Sequence, residues 1–543
     1  MAGGAVVAGG SGCNPFRTGF IKRVYFLAFI LVTSLFFLWG FAYGLLDVLN
    51  KHFQNVLGIT KLQSTGLQVA YFGIGYFAYS PVAGEVLKRR GYKFTIIMGL
   101  CLYSLGAILF WPVAKFSVTT TNKQGIFGGF VVCTAVIACG LATLEVAANS
   151  YVSTMPPVNV ANFRLQFSQS FNGVASFSGP LIASKYFFSG TNANNLTNVQ
   201  WVYLAVSGMG MLVAVAFLLT RLPEVSEESL QAEADALAEA SGHNTQADKP
   251  FYMQYRAISG FVAQVSHPEP SREQYANLPV VLVLRSPGYD RVSNLSPISD
   301  GMQADANDAS SFFINNTAEA GISDSEGSQL LSYGLITFTV CRFIGTALLS
   351  VLSAPVLLCL CALGASMSAI LIGSLPGVGS VIFSIVIMGF ESIMYPVIFV
   401  LGTTGLGRHT RRGAALLVMG VSGGGESILQ MRRATHCEHP LMATVAVFPP
   451  MQGAIADKYN TKISFFLVVP AFAYIGLWSV YVWYLDGRRW SASGGEVQGE
   501  IEVPSGGVIP PAVVGLNYRS STSHAGLGYG EEIKEDLERV EKA

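Results

Sequence analysis

The chain has 543 residues, of which 51% are hydrophobic and 12% charged, and its formal net charge is zero. A soluble domain carries about twice that charged fraction, and nucleic acid demands a basic face that a balanced chain does not offer. The cysteines do not form a secreted disulfide framework: Cys101, Cys133, Cys139, Cys341, Cys359 and Cys361 all lie inside apolar blocks, where thiols act as small hydrophobes.

The apolar residues fall into blocks of roughly 20 or more, the length a helix needs to cross about 30 Å of hydrocarbon. The first is Val24–Gly44, preceded by a Gly/Ala-rich stretch with Arg17, Lys22 and Arg23 at its end. It is too long for a signal-peptide core and lacks a small-residue cleavage site. It therefore reads as a retained first span, with residues 1–23 as a cytoplasmic N-terminus. Six spans lie near 24–49, 64–87, 94–114, 126–152, 163–188 and 200–220, a bundle covering 24–221. Lys88, Arg89, Arg90 and Lys93 mark the second loop as inside, as does Arg164 at the start of the fifth span. The uncharged loop Ser189–Gln200, with its acceptor pattern Asn195-Leu196-Thr197, falls on the outside.

Residues 222–250 are acidic and polar and read as a cytoplasmic linker. A second bundle, 251–486, has spans near 330–352, 354–373, 378–402 and 462–486 and a broken one from 413 to 456. Arg408, Arg411 and Arg412 mark another inside loop. The tail 487–543 is Gly/Ser-rich and then charged, and reads as a disordered cytoplasmic tail. The pattern predicts an all-α membrane protein of 12 spans in two six-helix bundles, the plan of a transporter built from related halves.

The pattern breaks twice. Span seven begins at Tyr252–Val265 and gives way to a charged stretch, about 266–308. Span eleven begins at Gly413–Gly425, is interrupted by Glu426–Val445 and resumes at Ala446. Arg432, Arg433, His436, Glu438 and His439 would then sit at mid-membrane, each charge costing about 2.5 kcal/mol or more. We read both as unspliced introns translated into the chain, because removing Glu426–Val445 leaves one apolar stretch of spanning length. Two real loops are the alternative, and transcript sequencing separates them.

The first span carries Phe37-Leu38-Trp39-Gly40-Phe41-Ala42, then Asp47 and Phe53-Gln54. After the second comes Gly84 with Lys88-Arg89-Arg90-Gly91-Tyr92-Lys93. Spans three to five add Gly106-Ala107, Phe110-Trp111-Pro112, Gly140-Leu141, Leu144-Glu145, Ala147-Ala148-Asn149, Phe163-Arg164-Leu165, Gln169 and Phe171-Asn172. The second half adds Arg342-Phe343, Gly345-Thr346, Tyr395-Pro396, Ile398-Phe399 and Leu401-Gly402. In this order the residues resemble the L-fucose–proton symporter family of the major facilitator superfamily, although Lys88 stands where many members have Asp. The resemblance implies two six-helix bundles around a cavity that opens alternately to either side. It gives sugar binding and proton coupling to an acid in span one, a Glu in span four and a Gln in span five, which Asp47, Glu145 and Gln169 match. Tyr43 and Gly44 stand where the fucose member has asparagines, which sets this chain apart from it.

The residues point the same way by their chemistry. A carboxyl inside an apolar span is expensive and usually functional, and burial favours its neutral form, so it can take up and release a proton. Asp47 and Glu145 are the proton-coupling candidates. Glu145 and Asn149, like Tyr43 and Asp47, are one turn apart on one helix face. Gln166, Gln169 and Asn172 form a polar stripe, and amides offer both donors and acceptors to sugar hydroxyls. Amides also glue membrane helices together, so packing is the competing role for each of them. Trp39, Tyr43 and Phe171 could stack on a pyranose ring, with core packing the alternative for these aromatics. Arg342 and Glu391 sit mid-span, as a buried ion pair or as substrate contacts.

The expected function is proton-coupled uptake of a hexose-type monosaccharide (fucose, galactose or glucose class), driven by the proton gradient without a cofactor. The expected setting is a multi-pass monomer in the plasma membrane, with both termini cytoplasmic. The alternatives are a sugar uniporter, an exporter of another small polar solute, or a transporter-like sugar sensor. No nucleophile–base, metal or phosphate-loop motif suggests an enzyme.

Overall fold

The computed structural model describes residues 23–57, 69–117, 122–156, 158–187, 197–225, 254–265, 324–421 and 459–486, with a few single positions between them. Both inserts, the tail and most of the linker lie outside the described residues, as do the side chains of 43–57.

The first half contains α1 (Phe26–Leu57), the π-wound α2 (Val69–Tyr79), α3 (Ser80–Phe116), α4 (Lys123–Thr154), α5 (Ala161–Phe187) and α6 (Thr197–Leu219). The second contains α7 (Tyr255–Val265), α8 (Asp324–Leu348), α9 (Ala354–Ser374), α10 (Val378–Glu391), α11 (Met394–Thr403), α12 (Thr410–Met419) and α13 (Val469–Leu485). α3 opens with Pro81, whose missing N–H costs nothing in a first turn. It kinks at Gly91, where φ is 79°, a left-handed value that favours glycine. The apolar run Ala70–Phe116, 47 residues long, is thus interrupted by a kink at Gly91. Among the described residues seven helical stretches are long and apolar enough to cross a membrane, this run being one; Tyr333–Leu348 is a shorter apolar helix.

Lipid supplies no hydrophobic drive between helices, so small residues let backbones approach closely. A Cβ on Gly140 of α4 would lie 2.4 Å from the Tyr103 nitrogen and 2.8 Å from the Gly99 oxygen of α3. A Cβ on Gly40 of α1 would lie 2.4 Å from the Asn172 carbonyl of α5. These contacts fix the register of the helices that carry the polar residues. One buried core lies within the first half and takes in Tyr395, Phe399, Leu417 and Val418 from α11 and α12. A second core is built from the second half around Leu358, Met394, Phe472 and Val482. The Arg256 guanidinium donates to the Asp486 carboxylate, and Trp478 Nε1 donates to Ser259 Oγ at 3.0 Å, tying α7 to α13.

Candidate functional site: a polar seam between the halves

Glu145 and Asn149 lie on one face of α4, buried at 2% and 0% exposure. Tyr395, from α11 of the other half, donates its hydroxyl to Glu145 Oε1 and accepts from Asn149 Nδ2 at 2.8 Å. Gln169 Nε2 of α5 donates to Asn149 Oδ1 at 3.4 Å. Arg342 of α8, 3% exposed, then donates through Nη1 to the Gln169 carbonyl at 2.7 Å and to Asn172 Oδ1 at 2.9 Å. Asn172 Nδ2 donates to the Phe36 carbonyl of α1 at 3.4 Å, and Gln166 Nε2 donates to the Arg342 carbonyl at 3.3 Å. The network crosses to the second half twice, at Tyr395 of α11 and at Arg342 of α8, and runs within the first half between α4 and α5.

A buried guanidinium is tolerated only when it is hydrogen-bonded. Arg342 satisfies that need on amides, on the face of Phe338 at 4.5 Å, and on the Ser392 carbonyl, to which Nε donates at 3.2 Å. That carbonyl is free for a local reason. Its helical partner would be the N–H of residue 396, which is Pro396 and has none.

The structure brings together Glu145, Asn149, Gln166, Gln169, Asn172 and Arg342. It does not pair Arg342 with Glu391. Glu391 ends α10 half-buried, and Arg342 instead reaches the carbonyl of the next residue at the proline-made break. Trp39 is buried in the first core with its ring 6.3 Å from Phe36, next to the Gly40 that Asn172 abuts. Phe171 meets Phe343 across the halves, edge to face, with ring centroids 6.1 Å apart. Tyr43 and Asp47 fall well inside α1 rather than at its end, and their side chains lie outside the described residues.

The sequence reading gave no role to Tyr395. The signal was available: a tyrosine before a proline in the middle of an apolar stretch. It also missed a second contact between halves. Arg412 of α12 meets Glu85 of α3 at 2.9 Å, and Arg411 donates to the carbonyls of Leu87, Lys88 and Val225 at 3.4, 3.3 and 3.0 Å. Glu85, three residues before Lys88, also accepts from Arg89 Nε at 2.8 Å. Among the described residues no group of three His, Cys, Asp or Glu could hold a metal ion.

Among the described residues, two helical halves are joined by a seam of buried amides, the Glu145 carboxyl and the Arg342 guanidinium. The Major Facilitator Superfamily model matches residues 24–428. The chain belongs to that superfamily, a family of transporters. It is similar to the L-fucose-proton symporter of Haemophilus influenzae, 26% identical over 493 residues, which are 85% of this chain and 98% of that protein. It is also similar to the glucose/galactose transporter of Brucella abortus, 27% identical over 475 residues, 86% of this chain and 97% of that one. Among solved structures, the symporter FucP in its outward conformation aligns with a TM-score of 0.62 at 24% identity, over 85% of this chain and 99% of that one. The resemblance read from the sequence therefore stands, and the fold is the all-helical fold of this superfamily.

Proposed function

We propose that this chain is a secondary active transporter that takes up a hexose-type monosaccharide with protons by alternating access. The observation that carries the reading is the buried Glu145 carboxyl, held by a hydrogen bond from the opposite half. A carboxyl so placed is costly in hydrocarbon, and its charge state bears directly on the seam. The printed functions of the relatives, L-fucose–proton symport and glucose/galactose transport, support the same reading.

In this mechanism a proton from outside neutralises Asp47 or Glu145. Sugar hydroxyls then take over amide positions on Gln166, Gln169, Asn149 and Asn172 that in the sugar-free seam serve one another and Arg342. Tyr43 and Trp39 flank the ring. The halves rock about the seam, and sugar and proton leave inside. The proposal includes 12 spans, both termini cytoplasmic, a plasma-membrane monomer, no cofactor, and the two intron-derived inserts near 266–308 and 426–445.

The test is uptake of labelled hexoses into proteoliposomes with and without an imposed pH gradient. Uptake above equilibrium, driven by outside acid, is the expected result. Glu145→Gln should still exchange sugar yet lose accumulation. Accumulation by that variant, at the wild-type ratio, removes Glu145 from the proton path.

A further inference from the structure

We infer that Tyr395 is the positioning residue through which the charge on Glu145 sets the strength of the seam; the inference rests on the transport reading above. The Tyr395 hydroxyl is the point where α11 touches two residues of α4 at once, donating to Glu145 Oε1 while accepting from Asn149 Nδ2. The hydroxyl donates on one side and accepts on the other, so the phenol is oriented from both sides. A hydrogen bond to a carboxylate is roughly twice as strong as one to a neutral oxygen. Tyr395 therefore grips α4 firmly while Glu145 is ionised and loosely once a proton has bound. The proton thus weakens a bond between halves by neutralising the carboxylate that α4 presents to it. Through Asn149 Oδ1 the same grip passes to Gln169, and from Gln169 to Arg342.

Other ionisable groups on the described helices packed around α4 make contacts of their own, except the buried Tyr103 hydroxyl, which has no hydrogen-bond partner. Tyr92 of α3 bonds Ser150, Tyr71 and Tyr76 of α2 meet at 3.5 Å, and Arg411 of α12 lies over the Tyr92 ring. Arg164 of α5 donates to the Val152 and Met155 carbonyls at the end of α4, and Tyr103 of α3 lies behind Gly140. α1 brings Asp47, whose side chain lies outside the described residues.

Tyr395→Phe deletes the hydroxyl and keeps the ring. In proteoliposomes of the full chain we expect pH-driven accumulation to fall about tenfold more than sugar exchange at equal pH does, the factor for one charge-assisted bond. Exchange by the variant should also lose the pH dependence of the wild type. The double variant Tyr395→Phe with Glu145→Gln should behave like Glu145→Gln alone, because both changes cut one link. A residue that merely packs would lower exchange and accumulation together. Tyr395→Phe that accumulates sugar at the wild-type ratio with the wild-type pH dependence overturns the inference. So does a double variant whose losses multiply. If Tyr395→Phe fails to reach the membrane, thermal stability reads the same bond: the wild type should vary between acid and neutral pH and Glu145→Gln should be flat. A Gln variant with the wild-type profile then overturns it. A wild type showing no pH-driven accumulation refutes the transport reading instead, which keeps the two failures apart.

Discussion

Gly84→Ala tests whether the second contact between halves must close tightly. A Cβ at Gly84 would lie 2.3 Å from Ala415 Cβ and 3.6 Å from the Arg411 carbonyl. Carbon atoms rest at about 3.5–4.0 Å, so α3 and α12 would have to part by about 1.2–1.7 Å. Overpacking of this kind costs about 1–3 kcal/mol. The clash exists only where the two helices meet, so the cost falls on the closed arrangement alone and shifts its population by about 5–150-fold. The same parting lengthens the Arg412–Glu85 pair and the bonds from Arg411 to Leu87, Lys88 and Val225. Two assays read this. Uptake should fall by at least about tenfold at the middle of that range. A cysteine placed at Leu87, fully buried in the wild type, should react faster with maleimide. Gly208→Ala is the control: nothing lies within 4 Å of its Cβ position, and Ala in a helix is favoured over Gly by roughly 0.5–1 kcal/mol. Gly84→Ala with wild-type uptake and wild-type labelling would show that α3 and α12 need not close on each other at this position.

Three further outcomes follow from the same geometry. Arg342→Lys keeps the charge but loses the planar fork that serves Gln169, Asn172 and Ser392 together, so sugar binding measured by equilibrium competition should weaken about tenfold or more. Glu85→Gln should leave thermal stability close to wild type, because exposed ion pairs contribute little, while its effect on uptake fades as salt is raised. Gly140→Leu should lower the melting temperature of the detergent-solubilised protein and displace Glu145, because backbone faces the new side chain on α3; a cost of at least about 2 kcal/mol is expected, and an unchanged melting temperature would show that α4 can slide.

The medium and the helical pieces are legible in the chain alone. Blocks such as Val24–Gly44 are long enough for hydrocarbon, and that is a local property, counted residue by residue. The same holds for Glu145, conspicuous because a carboxyl in such a block is costly, and for the order of matches that placed the family. Spacing also put Glu145 with Asn149 and Gln166 with Gln169, since helix faces follow from separation alone. Partners across the halves were decided by the tertiary structure. Tyr395 and Glu145 are 250 positions apart, and their meeting depends on how closely α11 approaches α4. Arg342 looked like a match for Glu391 because both are opposite charges in the middle of apolar spans, which suggests a pair. Folding gave it amides and the Ser392 carbonyl instead, because Pro396 leaves that oxygen without a helical donor. Hydrophobic length is written in the chain, but hydrogen-bond partners depend on helix crossings, and those are set by where glycine lets two backbones touch.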